Sequence, residues 1–420
     1  MGEVSVGLVG IGTIGSGVVK ILNKNSDLIE KRTGIKINLK RVCDVKLENA
    51  KKLGLKEEQL TKNYEDLLND KDISIIIELI GGYNPAKDII IKALKNKKNV
   101  VTANKAVIAK YGNEIFEEAR KNNVQIAFEA AVGGCIPIIK ALQESYIAEN
   151  IKEIYGILNG TTNFILTRME EGMSYAEALK KAQELGFAEA DPSFDVEGKD
   201  SAQKLVILAS LAFNAKINDD IFTWGITKIN KNDLEYADAL GYKIKLLAIA
   251  KHENGEIELR VHPTMIPKQH ELANVKNELN AIYLVGENIT KGMLYGKGAG
   301  QLPTATVVLG DVIDIAKGKQ ANFYFKDVRI KDINKIKSRY YLRYHVAEKP
   351  GVLARIAKVL GDTNISIAAV QQKEVNKDVV PVIMTTHVAA EEDMMKAVKE
   401  INKLDVVKEN TVVIRIDDMS

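Results

Sequence analysis

The feature that most constrains this chain is a glycine-rich segment near its N-terminus, Val4–Val19, which reads VSVGLVGIGTIGSGVV. An apolar, strand-like run comes first, a helical pattern follows, and Gly10, Gly12 and Gly15 have the spacing G-x-G-x-x-G. In this motif the first glycine permits a tight turn, the second lets a pyrophosphate approach the backbone, and the third permits close packing of helix on strand. Because the helix N-terminus also presents N–H groups to phosphate, the segment predicts dinucleotide binding rather than an ordinary turn.

The same turn and the end of the second strand carry the remaining cofactor candidates. Thr13 and Ile14 complete the turn and are expected to contact the cofactor. An acidic residue after the second strand would bind the ribose hydroxyls of NAD, and Asp44 stands there. Arg41 and Lys46 are close enough in sequence to meet the 2′-phosphate of NADP instead, or Asp44 simply begins a loop. NAD is favoured, and NADP stays open.

Short apolar runs alternate with helical patterns through the first 130 residues. Ile73–Leu79 is a nearly unbroken β-branched run, which is typical of a strand buried on both faces of a parallel sheet. The alternation predicts an α/β, Rossmann-type doubly wound sheet. The other expected strands are Val4–Val9, Ile37–Cys43, Asn99–Thr102 and Val124–Phe128, and the expected helices are Gly15–Asn23, Ala86–Lys95 and Gly112–Lys121.

After residue 130 runs of helical and of strand-like segments predict an α+β domain. A glycine-rich turn, Tyr295–Ala305, leads into a predicted helix, Thr304–Ala316, and the residues after 338 follow the order βαββαβ of a ferredoxin-like unit, with a final strand at Val406–Ile416. The predicted domains are 1–130 for dinucleotide binding, 131–317 for substrate binding and dimerisation, 318–338 as a linker and 339–420 for regulation, with the helix near 304–317 packed back on the first.

Composition narrows the class of function. The 59 basic and 56 acidic residues give a net charge of +3, which indicates no nucleic-acid partner. Cys43 and Cys135 are too few and too far apart for a disulfide framework or a metal motif. No stretch reaches the roughly 18 apolar residues of a membrane span, and the N-terminus lacks the basic and apolar regions of a signal peptide. We therefore expect a cytoplasmic protein without a membrane partner.

Two further segments place charged residues where ligands bind. In VVTANKAV, Asn104 and Lys105 follow the end of a strand, and ligands bind at that edge of a parallel sheet, although most lysines are solvated surface residues. In FEAAVGGCIPI, Glu129 precedes a loop of small residues whose carbonyl oxygens can meet a hard cation. The pattern alone favours a hinge or tight packing for that loop, and it leaves both alternatives open for Lys105.

An acid-rich segment, LGFAEADPSFDVEGKDSAQKL, contains Asp200 and Lys204 four residues apart, so the two share one helix face. The commonest pair of this kind is a solvated ion pair worth about 0.3–0.5 kcal/mol. In a closed cleft, however, such a lysine acts as a general acid toward a carbonyl oxygen, and the carboxylate orients it or receives a substrate ammonium. The residue types alone favour the surface pair.

Taken together, these motifs resemble those of homoserine dehydrogenase, in the same order along the whole chain. GILNGTTN (Gly156–Asn163) and AEADPSFDVEGKDSAQKL (Ala188–Leu205) are the most specific matches. The others are GLVGIGTIGSGV, IIIELIGG, TANKAVIA, FEAAVGGCIPII and GKGAGQLPTA. The C-terminal stretch YYLRYHVAEKPGVLARIAKVLGDTNISI resembles an ACT domain, an amino-acid-sensing module, with the family's D-x-P-G-V-L turn altered to Glu348–Leu353, EKPGVL.

The resemblance implies roles for individual residues. Lys204 matches the catalytic proton donor and acceptor, and Lys105 matches a lysine near the nicotinamide and the substrate. Glu189 and Asp200 match the acids that hold the substrate amino acid. This overturns the surface-pair interpretation of Asp200 and Lys204.

It also implies cofactor and cation contacts. Gly186 and Gly300 match backbone positions against the cofactor. The residues that match a monovalent-cation site, usually sodium and built largely from carbonyl oxygens, are Glu129, Val132, Gly134 and Ile136. Many relatives have a basic residue immediately before the acidic one that ends the second strand, but here Cys43 stands there. This departure favours NAD.

The implied activity is NAD(P)H-dependent reduction of aspartate 4-semialdehyde to homoserine, in the biosynthesis of threonine, methionine and isoleucine. ACT domains usually pair and bind an amino acid at their interface, so we expect a homodimer or homotetramer, with threonine as the first candidate effector. One alternative is a non-catalytic sensor of cofactor and amino acid, which would not need Glu189, Asp200 and Lys204. Another is a different Rossmann amino-acid oxidoreductase; an acylating one needs a cysteine with a histidine partner, and Cys135 has none evident in the sequence.

Overall fold

A computed structural model of the chain describes residues 2–321, 323–372 and 378–419. Asn322, within the predicted linker, and residues 373–377, within the predicted regulatory unit, lie outside the described residues. The chain divides into two compact units. Unit 1 comprises Met1–Ile154, Gln203–Asp220 and Asn280–Val328, and unit 2 comprises Tyr155–Ala202, Ile221–Leu279 and Arg329–Ser420. The domain bounds expected from the sequence stay a prediction.

A six-stranded parallel sheet lies at the centre of unit 1. Its strands are β1 (Gly2–Val9), β2 (Ile35–Cys43), β3 (Leu60–Thr61), β4 (Ile75–Glu78), β5 (Asn99–Thr102) and β6 (Ile126–Ala127). Their order is β3-β2-β1-β4-β5-β6, and every neighbouring pair is parallel. The helices of this part are α1 (Thr13–Thr33), α2 (Glu48–Lys52), α3 (Glu65–Leu68), α4 (Ala86–Lys95) and α5 (Lys105–Asn122). The predicted doubly wound sheet is confirmed, and its strand order reverses between β1 and β4.

Unit 1 also contains elements outside this sheet. They are α6 (Ile138–Lys140) with a π-turn at Ala141–Ser145, β8 (Ala215–Lys216), β12 (Leu279–Gly286, whose first residue ends unit 2), β13 (Thr290–Lys297), α12 (Gln301–Ala316) and β14 (Lys326–Asp327). Helix α12 packs on α1 so closely that a Cβ atom on Gly17 would lie 2.7 Å from the carbonyl oxygen of Gln301. Val18 and Val19 of α1 share one buried cluster with Val308 of α12.

Two helices of unit 1 are longer than the sequence pattern predicted. Helix α1 continues past the predicted end at Asn23 and stops at Gly34, whose φ of 73° is a left-handed conformation that favours glycine. Helix α5 begins seven residues before the predicted start at Gly112, because the side chain of Asn104 accepts a hydrogen bond from the N–H of Val107 and caps it. In both cases an end signal, rather than apolar periodicity, sets the helix limit.

Unit 2 contains a helical part and a mixed sheet. Strand β7 (Ile151–Ile157) leads into it from unit 1, and α10 (Lys199–Phe213) leads out of it. Its other helices are α7 (Gly160–Glu170), α8 (Tyr175–Glu184), α9 (Ser193–Val196) and α11 (Lys231–Ala239), and its first strands are β9 (Phe222–Thr223), β10 (Tyr242–Glu253), β11 (Glu256–Pro267) and β15 (Arg329–Ile330). Strands β10 and β11 form an antiparallel hairpin. Neither α11 nor β13 was predicted from the sequence.

The C-terminal part of unit 2 has the predicted βαββαβ order. Its elements are β16 (Lys337–Ala347), α13 (Val352–Asp362), β17 (Ile367–Gln372), β18 (Val379–Thr386), a short β19 (Ala389–Ala390), α14 (Glu391–Ile401) and β20 (Val412–Ile416). The sheet order is β20-β16-β18-β17. Strand β20 also pairs in parallel with β11, at Thr264 against Arg415. The final strand is shorter than the predicted Val406–Ile416, because Val407 pairs only as an isolated bridge to Val346 and regular pairing begins at Val412.

Buried charges connect the strands of unit 2 to α11. The guanidinium of Arg343 on β16 donates to both carboxylate oxygens of Asp233, at 2.7 and 3.2 Å. The hydroxyl of Tyr341 donates to the same carboxylate at 3.0 Å. Asp233 is fully buried and Arg343 is 5% exposed. A buried carboxylate of this kind is costly without its partners, so the pair fixes α11 against β16.

Candidate active site

The glycine-rich turn is shaped to receive a phosphate group. Gly10 has φ 99° and would place a Cβ atom 2.7 Å from the carbonyl oxygen of Leu79, so only glycine fits. A Cβ atom on Gly15 would lie 2.0 Å from the carbonyl oxygen of Gly10, which explains the close approach of α1 to β1. Gly12 has open space beside its Cα and is the N-cap of α1, where no side chain caps the helix. Thr13 and Ile14 are the first two residues of α1.

Asp44 is tied directly to this turn. One carboxylate oxygen, Oδ2, accepts a hydrogen bond from the N–H of Ile11 at 2.7 Å, and the other accepts one from the N–H of Lys46 at 2.9 Å. The N–H of Gly10 donates to the carbonyl oxygen of Cys43 at 2.9 Å. The acid that follows β2 therefore lies at the carboxyl edge of the sheet beside the turn. Burial raises the pKa of the Cys43 thiol to about 11, so the residue before Asp44 is uncharged.

A buried carboxylate that the sequence analysis missed organises the same edge. Glu78, the last residue of β4, is fully buried and accepts from the hydroxyl of Thr102 at 2.6 Å and from the N–H of Ile80 at 2.8 Å. Burial raises the pKa of Glu78 above its ordinary value. The Thr102 hydroxyl also accepts from the N–H of Asn104, which caps α5. These bonds place Lys105, the first residue of α5, at the edge where β1 and β2 end.

In unit 2, Asn159 holds two carboxylates. Its amide Nδ2 donates to Asp195 at 2.7 Å and to Asp200 at 2.8 Å. Its Oδ1 accepts from the N–H of Thr162 at 2.8 Å and caps α7. Asn159 is 5% exposed and Asp200 is 4% exposed. The motif GILNGTTN carries the family resemblance, but the sequence indicates no role for Asn159, because Asp195 and Asp200 lie in a different segment of the chain.

Lys204 lies four residues after Asp200 on α10, on the same face of the helix. It is 9% exposed. Both members of the pair are therefore buried, which excludes a solvated surface pair. Glu189 and Gly186 lie in the exposed loop between α8 and α9, where Gly186 has φ 75°.

The loop after Glu129 is packed against the turn that precedes α12. A Cβ atom on Gly134 would lie 2.4 Å from the carbonyl carbon of Gly298, and the N–H of Cys135 donates to the carbonyl oxygen of Lys297 at 3.2 Å. Gly300, the N-cap of α12, has φ 132°. This close packing agrees with the packing role that the residue pattern alone favoured for the loop.

Glu129 itself is buried next to a second acid. Its carboxylate accepts from the N–H groups of Ile139 at 2.8 Å and Lys140 at 2.6 Å. Burial, with the negative charge of Asp311, raises the pKa of Glu129 to about 7. Among the described residues no three His, Cys, Asp or Glu side chains are grouped to hold a metal ion. A cation here would depend on carbonyl oxygens, and Val132 and Gly134 are buried residues of this loop.

Comparison with known proteins identifies the family. Family models match residues 10–129 (homoserine dehydrogenase, NAD binding domain), 137–313 (homoserine dehydrogenase) and 340–406 (ACT domain). A homoserine dehydrogenase of Neisseria gonorrhoeae is 41% identical over 434 residues, which cover 100% of both chains. The chain belongs to the homoserine dehydrogenase family. It is an NAD(P)-dependent oxidoreductase that acts on the CH–OH group of homoserine.

Solved structures of homoserine dehydrogenases agree with this fold. The crystal structure of a homoserine dehydrogenase from Thiobacillus denitrificans has a TM-score of 0.93 and 41% identity, over 100% of this chain and 99% of that one. A hyperthermophilic archaeal homoserine dehydrogenase in complex with NADPH has a TM-score of 0.66 and 26% identity, over 76% of this chain and 99% of that one. The predicted family, Rossmann-type sheet and ACT domain are confirmed. No helix in the described ranges is both long and apolar enough to cross a membrane.

Proposed function

We propose that Lys204 is the proton donor and acceptor of the homoserine dehydrogenase reaction. The observation that carries this proposal is the burial of Lys204 and Asp200 on one face of α10, with Asp200 held by Asn159. The bound nicotinamide supplies hydride transfer to and from the carbon that becomes the CH–OH group. The Lys204 ammonium donates a proton to the oxygen as the aldehyde is reduced, and its amine takes the hydroxyl proton in the reverse direction.

In this proposal the enzyme holds the substrate through the substrate's own ammonium and carboxylate groups. Glu189 and Asp200 bind the ammonium of the amino acid, and Lys105 binds its carboxylate or the reacting oxygen. Lys105 is suited to this role because the Glu78, Thr102 and Asn104 hydrogen bonds fix the start of α5 at the carboxyl edge of the sheet, where ligands of such sheets bind.

Turnover of Lys204→Ala tests the general-acid role. The variant should lose at least about 100-fold in kcat, the usual contribution of a positioned acid or base, while it keeps the wild-type affinity for NADH measured by fluorescence. Lys181→Ala, which removes an exposed lysine on α8, is the matched control and should retain wild-type turnover. If Lys204→Ala turns over at the rate of this control, the proton is transferred by another group.

We also propose that NAD is the preferred cofactor. Asp44 presents a carboxylate beside the glycine turn, and the preceding Cys43 is a buried, uncharged thiol rather than a base. The NADPH of the archaeal relative shows that a member of the family holds the other nucleotide, and Arg41 and Lys46 are the residues that would accept it here. Rates with NADH and NADPH at matched concentration test the preference directly.

Asp44→Asn separates the two tasks of this side chain. Its amide oxygen can still accept from the Ile11 N–H, whereas the charge that selects ribose hydroxyls over a phosphate is removed. The ratio of kcat/KM for NADH over NADPH should fall about tenfold, the effect of roughly 1.4 kcal/mol. A ratio unchanged in Asp44→Asn would assign cofactor selection to other residues.

The loop after Glu129 fits a monovalent cation, and we propose sodium. Supporting observations are the burial of Val132 and Gly134 and the nearby acid, since hard cations prefer carbonyl and carboxylate oxygens. Ile136 would add a further carbonyl, whose oxygen also accepts a hydrogen bond from the N–H of Ile138 at 2.8 Å. Thermal unfolding in sodium chloride and in choline chloride at equal ionic strength measures binding without an assay of turnover. Sodium should raise the melting temperature of the wild type but not that of Glu129→Gln; equal temperatures in the two salts would reject the site.

Feedback by threonine and a homodimeric or homotetrameric state are proposals supported by the ACT domain. Threonine should lower the initial rate of the full-length enzyme, and light scattering gives the oligomer size. Point variants are better tools than deletion of residues 339–420, because β11 would lose its pairing with β20. Rates that are constant over all threonine concentrations would count against feedback by threonine.

A further inference from the structure

A cavity of about 560 Å³ lies within unit 2, between the ACT fold and the segment that precedes α10. One wall comes from α14 and β20 of the ACT fold, including Met395 and Val398. The other comes from Trp224 and its neighbours and from the turn that contains Glu197 and Lys199. Ligand sites in proteins occupy roughly 300–1,000 Å³ and combine apolar walls with a few polar groups. This cavity has both properties.

The polar groups of the cavity carry both signs of charge. Glu197 and Lys199 form an ion pair at 2.6 Å, both about half exposed, and the ammonium of Lys228 lies 5.9 Å from the centre of the Trp224 ring. Asn402 uses its Oδ1 to accept from the N–H and the hydroxyl of Thr411, which leaves its Nδ2 as a donor beside the cavity. A carboxylate, two ammonium groups and an amide around an apolar wall complement a zwitterion with a short, largely apolar side chain.

The cavity wall is attached to the segment that carries the proposed catalytic pair. The N–H of Ile226 donates to the carbonyl oxygen of Val196 at 2.8 Å. Gly225 approaches so closely that a Cβ atom there would lie 1.9 Å from that same oxygen. The residue before Val196 is Asp195, which shares the Asn159 amide with Asp200. A shift of the Trp224 wall is therefore transmitted to Val196, whose neighbour Asp195 shares one hydrogen-bond donor, the Asn159 amide, with Asp200.

We propose that this cavity is an effector site for a free α-amino acid, contained within one chain and separate from the ACT turn at Glu348–Leu353. The proposal rests on the proposed function for its effect on catalysis, but not for binding. The amino acid places its ammonium at Glu197, its carboxylate at Lys228 and Asn402, and its side chain on the wall of Trp224 and Met395. Occupancy alters the equilibrium affinity for homoserine through Val196 and Asp195, and homoserine alters the effector affinity by the same factor.

The chain carries its own probe for this site. Trp224 is the single tryptophan of the sequence, it is 37% exposed, and its ring lies 4.6 Å from the buried guanidinium of Arg415. Tryptophan fluorescence of the full-length protein therefore reports on the cavity without a label and without turnover. L-threonine, L-isoleucine, L-methionine and L-lysine are titrated separately, and the D-isomer of any amino acid that binds is the stereochemical control.

We expect at least one L-amino acid to change the Trp224 emission saturably, with a weaker or absent response to its D-isomer. Glu197→Gln and Asn402→Leu should each weaken that binding about tenfold, the effect of one lost polar contact. Asp362→Asn, which breaks an exposed pair with Lys358 on α13, is the matched control and should bind as the wild type does. Melting curves show whether each variant is folded. If one of the two cavity variants is not folded, the other tests the amino-acid site.

Either of two results would overturn the proposal: no saturable response to any of the four amino acids, or binding that neither cavity variant weakens. A third would also overturn it, namely a Trp224 emission change that depends on protein concentration without added amino acid. That result would place a second copy of the chain in the cavity. Rates with homoserine and NAD in the absence of effector test the proposed function separately. If those rates are absent while Trp224 still reports binding, the catalytic proposal fails and the cavity remains an amino-acid site.

Discussion

Asn159→Asp should damage substrate binding without unfolding the protein. The new carboxylate still accepts from the Thr162 N–H, and aspartate caps helices as well as asparagine does, so α7 keeps its N-cap. What disappears is the donor that holds Asp195 at 2.7 Å and Asp200 at 2.8 Å. A third negative charge then stands between the two acids. The substitution is therefore almost isosteric but reverses the electrostatics around Asp200.

The size of the effect follows from the two lost bonds. A hydrogen bond to a charged group contributes about 1.5–3 kcal/mol, so two bonds at the lower limit amount to about 3 kcal/mol. Since roughly 1.4 kcal/mol corresponds to a tenfold change, kcat/KM for homoserine should fall by at least about 100-fold. The loss should lie mainly in the KM for homoserine, because Asp200 is proposed to bind its ammonium. The KM for NAD should not change, since the glycine turn is untouched.

A pH profile separates positioning from general damage. Three neighbouring carboxylates raise the pKa of at least one of them, and the introduced carboxyl group regains a donor when it is protonated. The activity of Asn159→Asp relative to wild type should therefore increase as the pH falls, whereas Asn159→Ala, which has no titrating group, should show no such recovery. Wild-type kcat/KM in both variants, or the same pH dependence in both, would refute the positioning role.

Three further predictions concern stability and reactivity. Arg343→Met should lower the free energy of unfolding by about 3–5 kcal/mol, because it leaves a buried charge on Asp233 without its partner. In chemical denaturation, the double variant that also carries Asp233→Leu should regain stability. Equal stability of the single and double variants would contradict this. Burial lowers the pKa of Lys245 to about 8 in the folded protein. Between pH 8 and 10.5 the unfolded chain therefore holds one more proton than the folded chain. The free energy of unfolding should rise by roughly 3 kcal/mol across that window, whereas Lys245→Met should show no such rise. A thiol reagent at pH 8 should modify the partly exposed Cys135 much faster than the buried Cys43, whose pKa is about 11. Cys135→Ser would verify this by leaving only the slow phase.

Local signals in the sequence were sufficient for the sheet of unit 1. The glycine spacing predicted the turn at Gly10, and both Ala86–Lys95 and Asn99–Thr102 have the predicted bounds. These limits are determined by neighbours in the chain. The same is true of the order of elements in the ACT domain, where each strand has its own apolar run.

Other features depend on partners far away in the sequence. Glu78 lies within an apolar run, and only the fold shows that Thr102 donates a hydrogen bond to its buried carboxylate. The sequence around Asn159 does not indicate that its amide donates hydrogen bonds to Asp195 and Asp200. Helix α11 was missed because its apolar residues are few, and a long-range pair between Asp233 and β16 stabilises it. Tertiary contacts, rather than propensity, decide these places.

The double pairing of β20 has a consequence for synthesis. Thr264 and Met265 of β11 pair with β10 on one side and obtain their second neighbour from Arg415 and Ile416, which are synthesised long after β11. Until then Thr264 and Met265 have no partner on that side, because β15 and β9 pair there with Glu256–Ile257 and Arg260–Val261 instead. Such unpaired stretches of strand edge recruit other chains. Premature termination anywhere before β20 should therefore yield products that aggregate, and not an enzyme that is always active. An enzyme insensitive to an amino-acid effector is more accessible by point substitution than by shortening the chain.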